Sequence, residues 1–104
     1  MKEITVTELK SMKDKKEDFQ LIDVREPYEF NIGNIGAELM PMGDIMGSTD
    51  KISKDKPVII HCRSGKRSSA IVMALETQHG FTNLYNLKGG IVAYSEQIDP
   101  SIPI

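Results

Sequence analysis

One thiol is all the cysteine this chain has: Cys62, among 104 residues. A single cysteine closes no internal disulfide, so a reducing cytoplasm is the expected home. Even with the two histidines, it falls short of the four ligands that structural zinc takes, and no metal or cofactor is expected. Long apolar runs are missing as well; none approaches the roughly 20 residues of a membrane span. The start, Met1 to Val6, lacks the apolar core and small-residue cleavage site of a secretory signal. Strong charge of one sign is absent. A formal net charge of -2 argues against a nucleic-acid surface and leaves room only for a local basic patch. There is no internal repeat and no low-complexity segment.

What remains is the composition of an ordinary globular chain, 39% hydrophobic and 27% charged. One domain over residues 1–104 is expected, with an extended tail at 99–104. Short apolar runs alternate with helical segments, which points to an α/β domain with a largely parallel sheet. Glu3 to Val6 reads as a first strand. Thr7 is placed to cap a helix carrying Leu9 and Met12 on one face. The charged run Lys13 to Asp18 reads as a solvated helix end and turn. Phe19 to Val24 forms a second strand, with Leu21, Ile22 and Val24 suggesting burial on both faces. Pro27 suits the first turn of a short helix ending near Ile32, and Gly33 and Gly36 punctuate a turn. Glu38 to Met40 is a candidate strand, and a short helix falls within Pro41 to Asp50. Val58 to His61 is the central strand. Ser68 to His79 is a long helix closed by Gly80. A last strand, Asn83 to Asn86, and a helix from Gly89 to Gln97 follow.

Cys62 stands where the central strand ends and opens the loop Cys62-Arg63-Ser64-Gly65-Lys66-Arg67-Ser68. A thiol there faces unpaired N–H groups and the positive end of a helix dipole. Gly65 can take the positive φ a curled loop needs, and successive inward N–H groups make a nest for an anion. Arg63, Lys66 and Arg67 add positive charge. Together these favour thiolate over thiol and make the sulfur a nucleophile. The bland alternative is a buried, inert cysteine. Cysteine phosphatases share the logic of a thiolate in an anion cradle but space their arginine as Cys-x5-Arg; here Ser68 holds that position and Arg67 comes one residue early. Gly65-Lys66 echoes the end of a nucleotide P-loop, but Ile60 stands where that motif needs glycine.

Three segments carry a wider likeness: Leu21-Ile22-Asp23-Val24-Arg25-Glu26, the Cys62 to Ser68 loop, and Gly80 to Ile91 with its Leu87-Lys88-Gly89-Gly90 core. In register over nearly the whole chain, they resemble the rhodanese, or thiosulfate sulfurtransferase-like, family. The resemblance implies a central, mostly parallel five-stranded sheet flanked by helices on both faces. It implies that Cys62 carries a sulfane sulfur as a persulfide, with residues Arg63 to Arg67 supplying the cradle. The donor would be a small sulfur compound such as thiosulfate or a persulfide. The acceptor would be a thiol, cyanide or a sulfur-carrier protein. Leu39 to Gly43 and the Ile98 to Pro103 tail are similar to rhodanese domains attached to enzymes that activate ubiquitin-like sulfur carriers. A non-catalytic rhodanese-fold binding module and a small-anion (arsenate or phosphate) enzyme stay open as alternatives.

Asp23 and Arg25 end a strand at the edge where open α/β sheets place their sites. They can support the active loop, with Arg25 binding an anionic donor, or form a structural ion pair. His61 should point away from Cys62, since neighbouring strand residues face opposite sides, and is assigned to packing or surface. His79 suits a helix C-terminus. Met40, Met42 and Met46 read as core or rim filling. Two positions depart from the common family pattern: Asn34 in the Gly33 to Ala37 turn, and Tyr94 where many relatives carry tryptophan.

Overall fold

Every residue of the strand Val58–His61 is buried. A strand hidden on both sides needs a layer of helix over each face, and that is the architecture of the computed structural model, which describes residues 1–104. In chain order the elements are β1 (Lys2–Ile4), α1 (Val6–Asp14), β2 (Gln20–Asp23), α2 (Pro27–Ile32), β3 (Glu38–Leu39), α3 (Met42–Ile45), a 3₁₀ turn (Thr49–Lys51), β4 (Val58–His61), α4 (Lys66–His79), β5 (Leu84–Leu87) and α5 (Gly90–Gln97). The five strands lie in the order β1-β5-β4-β2-β3. Every pairing is parallel.

Alternation along the strands sorts the core into two layers. Ile22, Val58, Ile60, Cys62 and Leu84 pack on one face against Ile71, Val72 and Leu75 of α4 and Ile45 of α3. Leu21, Ile59 and Leu87 pack on the other against Val6 and Leu9 of α1 and Ile91 and Tyr94 of α5. Each such side chain, fully buried, contributes about 1.5–3 kcal/mol through the water it sheds. No helix is long and apolar enough to cross a membrane.

The register places the site. Ile22 pairs with Ile60 and Asp23 with His61 across β2 and β4, while Ile60 pairs with Asn86 across β4 and β5. The carboxyl ends of three neighbouring strands therefore stop level with one another. The chain leaving β2 goes on to β3 at one edge, and that leaving β4 goes to β5 on the other side. Such a divergence opens a crevice above the strand ends.

Three local expectations need correction. The first strand stops at Ile4, and the helix cap is Thr5 rather than Thr7. The Thr5 hydroxyl accepts from the Glu8 N–H at 3.1 Å, and the Glu8 carboxylate accepts from the Thr5 N–H at 2.9 Å, which closes a capping box. Helix α4 starts at Lys66, two residues before the expected Ser68. The tail does not extend: Ile102 N–H reaches the Asp99 carbonyl at 3.2 Å in a turn, and Ser95 Oγ donates to the Ile102 carbonyl at 2.9 Å. This turn returns Ile102 to the α1–α5 layer.

Candidate active site

Cys62 follows β4 directly and its side chain falls on the α4 side of the sheet. The residue is 1% exposed. Gly65, at φ +99°, turns the chain back over the sulfur and becomes the N-cap of α4. A side chain at that φ would be strained. The curl brings donors onto Sγ: the Gly65 N–H at 3.1 Å, the Ser68 N–H at 3.4 Å and the Ser68 hydroxyl at 3.3 Å. Ser68 is the third residue of a 14-residue helix, so its N–H has no partner within the helix and is free to serve the sulfur. Burial pushes the Cys62 thiol up, but hydrogen bonds from the Ser68 hydroxyl and N–H, with those of Gly65 and Ser64, outweigh it and hold the thiol below its ordinary value.

The rest of the loop is arranged differently. Arg63, Ser64 and Lys66 form an exposed crest above the buried Cys62, Gly65 and Ser68. The N–H groups of Arg63, Lys66 and Arg67 meet no acceptor within hydrogen-bonding geometry. The Arg67 guanidinium lies elsewhere than the cradle expectation implied: it forms a two-pronged pair with Glu29 of α2, at 2.8 and 2.9 Å. That pairing draws the Glu29 carboxyl down to about 2. Its stabilisation is full above the ordinary carboxylate range and fades as pH falls toward that value. Arg67 thus ties α2 to α4 beside the loop, and its charge reaches the sulfur through space rather than by a hydrogen bond.

Asp23 and Arg25 are 0% and 2% exposed. Arg25 Nε donates to both Asp23 oxygens at 3.0 Å, its Nη2 donates to Asp23 Oδ2 at 2.8 Å, and its backbone N–H donates to Oδ1 at 3.0 Å. Nη2 also donates to the Gly33 carbonyl at 2.8 Å, so the pair pins the end of β2 to the turn after α2. His61 lies on the opposite side of the sheet from Cys62, near Asp23 at 3.6 Å, and is fully buried. Its Nδ1 sits 3.1 Å from the Cys62 carbonyl, which assigns the ring hydrogen to Nδ1 and leaves Nε2 without a partner. Burial holds this imidazole below its ordinary value, in its neutral form.

Two residues of the site carry no sequence signal that the motifs would catch. Glu29 sits in a short helix that buries nothing. Asn86, 2% exposed, is two residues beyond Leu84 and so shares the α4 face with it. It takes the Ser68 hydroxyl at 2.6 Å through Oδ1 and donates from Nδ2 to the Gly65 carbonyl at 3.2 Å. A polar residue at an inward strand position was the available clue. The two departures noted above are accommodated locally. Asn34 donates to the Phe30 carbonyl at 3.2 Å and accepts from the Gly36 N–H at 3.0 Å, closing the turn itself. Tyr94 packs with the α1–α5 layer under the Lys13 ammonium, 5.3 Å from its ring.

The start of α5 closes the site from below. Its Ile91 and Val92 N–H groups donate to the Cys62 and Arg63 carbonyls at 3.0 and 3.1 Å. This needs backbone against backbone: a Cβ on Gly90 would lie 2.4 Å from the Arg63 oxygen and 2.6 Å from the Cys62 oxygen, at φ +60°. Gly90→Ala is therefore expected to cost about 2–4 kcal/mol from the clash and the left-handed backbone together. Urea unfolding measures it, and a wild-type midpoint would show that the loop does not rest on α5.

Both the sequence and the fold have counterparts among known proteins. The model of the Rhodanese-like domain family matches residues 5–97. A Bacillus subtilis protein named putative sulfurtransferase YtwF is 37% identical over 101 residues, covering 96% of each chain. A Mycobacterium tuberculosis protein named probable adenylyltransferase/sulfurtransferase MoeZ is 35% identical over 102 residues, 95% of this chain. The chain spans only 26% of that relative and 37% of a longer Arabidopsis thaliana one. Among solved structures, a rhodanese-like domain protein from Staphylococcus aureus superposes with a TM-score of 0.84 at 32% identity, covering all of this chain and 98% of its own.

Proposed function

The chain belongs to the rhodanese-like domain family, and from that membership we propose that it moves a sulfane sulfur from a small donor such as thiosulfate to a nucleophilic acceptor through a persulfide on Cys62. The observation that carries the reading is the set of donors on Sγ, from Gly65 and Ser68 at 3.1–3.4 Å. A cysteine that only fills space has no need of them. In the first step a lone pair of the Cys62 thiolate attacks the outer sulfur of thiosulfate. A new S–S bond forms, the thiosulfate S–S bond breaks with its electron pair on sulfur, and sulfite leaves. The negative charge then sits on the outer persulfide sulfur. The unpartnered N–H groups of the loop and the start of α4 supply the field for it. In the second step a nucleophile, either cyanide or the thiolate of a small thiol or of a protein in a sulfur-carrier pathway, attacks the outer sulfur, and Cys62 leaves as thiolate. Free enzyme and loaded enzyme alternate, so ping-pong kinetics are expected.

The acceptor is the less constrained half. The name of the Mycobacterium tuberculosis relative, which joins an adenylyltransferase to a sulfurtransferase, supports a protein sulfur carrier over cyanide. Phosphate chemistry is disfavoured because Arg67, the only arginine near the usual spacing, is already clamped to Glu29. The test is mass spectrometry of the intact protein after incubation with thiosulfate, and separately with a low-molecular-weight persulfide. A gain of one sulfur mass, released by a thiol and localised to Cys62, is the expected result. A protein left unmodified by both donors would turn the reading to a binding module, and steady hydrolysis of an aryl phosphate would turn it to a phosphatase.

A further inference from the structure

The Ser68 hydroxyl has one hydrogen and two claimants. Oγ lies 3.3 Å from Cys62 Sγ and 2.6 Å from Asn86 Oδ1. The amide cannot be turned over to remove the conflict, because Nδ2 donates to the Gly65 carbonyl and a flip would set oxygen against oxygen. A serine hydroxyl donates once and accepts twice. Cys62, Ser68 and Asn86 are at most 2% exposed, so water does not arbitrate.

We infer that Asn86 is a positioning residue that decides where the Ser68 hydrogen points, and that it thereby favours the states of Cys62 whose Sγ carries no charge, the thiol and the persulfide, over the bare thiolate. With a thiol the chain of bonds is complete: S–H donates to Oγ, and O–H donates to Oδ1. With a persulfide, Sγ is a neutral bridge, the charge lies one atom further out, and the hydroxyl again stays on Asn86. Only the bare thiolate draws the hydrogen to Sγ, and the shorter bond to Oδ1 must then be given up. A buried carbonyl oxygen is left unpaired, at the cost such groups carry. Asn86 thus holds the loaded enzyme against premature loss of its sulfur. It also keeps the empty thiolate from becoming too weak a base to attack, since nucleophilicity falls with thiol acidity.

The inference rests on the sulfur-transfer reading for its persulfide half only. A double-mutant cycle of Asn86→Ala, Ser68→Ala and the pair tests it with two readouts. The first is the pH dependence of Cys62 alkylation by iodoacetamide, which requires no sulfur chemistry. The second is the fraction of Cys62 loaded at a fixed ratio of thiosulfate to sulfite. Asn86→Ala is expected to move the alkylation midpoint to lower pH and to weaken the loading equilibrium roughly three- to tenfold, the scale of one buried hydrogen bond. Both changes should vanish when residue 68 is alanine. The charged and titratable groups around the sulfur, namely Arg63, Lys66, the Arg67–Glu29 and Asp23–Arg25 pairs and His61, are the same in every variant and cancel from the cycle. An equal shift in the Ser68→Ala background would show that Asn86 acts through Gly65 instead, and the inference falls. It falls as well if the midpoint stays put or rises. Where Asn86→Ala does not fold, Asn86→Ser serves the same cycle. If the midpoint moves as expected while no donor loads Cys62, the sulfur-transfer reading fails and the positioning role stands.

Discussion

Cys62→Ser is expected to lower sulfur transfer at least about a thousandfold while leaving the protein folded. The exchange is nearly isosteric, yet it removes the one atom that can hold a transferable sulfur. Serine has no accessible anion at neutral pH, and an oxygen–sulfur adduct would not return sulfur to a thiol. The fold should bear the change because the donors around the site do not lose their acceptor. The Gly65 and Ser68 N–H groups that now meet Sγ would meet a hydroxyl oxygen. A stability loss of about 1 kcal/mol is the expected scale for so conservative a change. Steady-state transfer from thiosulfate, with urea unfolding alongside, separates the two effects. Transfer within tenfold of wild type would remove Cys62 from the chemistry altogether.

Two opposing effects meet on that sulfur. It belongs to the apolar layer under α4, with Ile60 and Ile71 among its companions. Burial there opposes a charge. Against it stand hydrogen bonds to a charged acceptor, each worth about 1.5–3 kcal/mol. Donors from Gly65 and Ser68 at 3.1–3.4 Å decide the balance in favour of the anion. The cationic side chains do less than their number suggests. Arg63 and Lys66 are exposed and screened, and Arg67 spends its fork on Glu29. Backbone and one hydroxyl, rather than guanidinium groups, make the cradle.

This also marks how far the sequence could be read. The α/β alternation and the loop between β4 and α4 follow from local patterns: the run Val58 to Ile60, the glycine at 65, the helix closed by Gly80. The strand order does not, because pairing is decided by which apolar faces can be covered together. The cap at Thr5 was open to reading from Thr5 and Glu8, which stand three apart as a capping box requires. Thr7 competes for the same role by type alone, and only the Val6 and Leu9 packing selects the earlier start. Arg67 reads as part of the anion site from its place in the loop and from the family resemblance. Its engagement with Glu29 depends on where α2 docks, which no local pattern records. Asn86 is hidden for a similar reason: its partners come from a helix and a loop, 18 and 21 residues earlier in the chain respectively.

Arg25→Ala should produce the largest loss of stability of any single polar change, about 3–5 kcal/mol. The reason is what it leaves behind. Asp23 is wholly buried, and three of its hydrogen bonds come from the Arg25 side chain. Remove that side chain and a carboxylate remains in the interior with the Arg25 backbone N–H as its only donor. The Gly33 carbonyl loses its partner too. Urea unfolding measures the loss. A deficit below about 1 kcal/mol would mean that solvent reaches Asp23 and that the pair does not hold the strand end. A large deficit in a variant that still loads sulfur at its native rate would fix Arg25 as a structural tie rather than a binder of the donor.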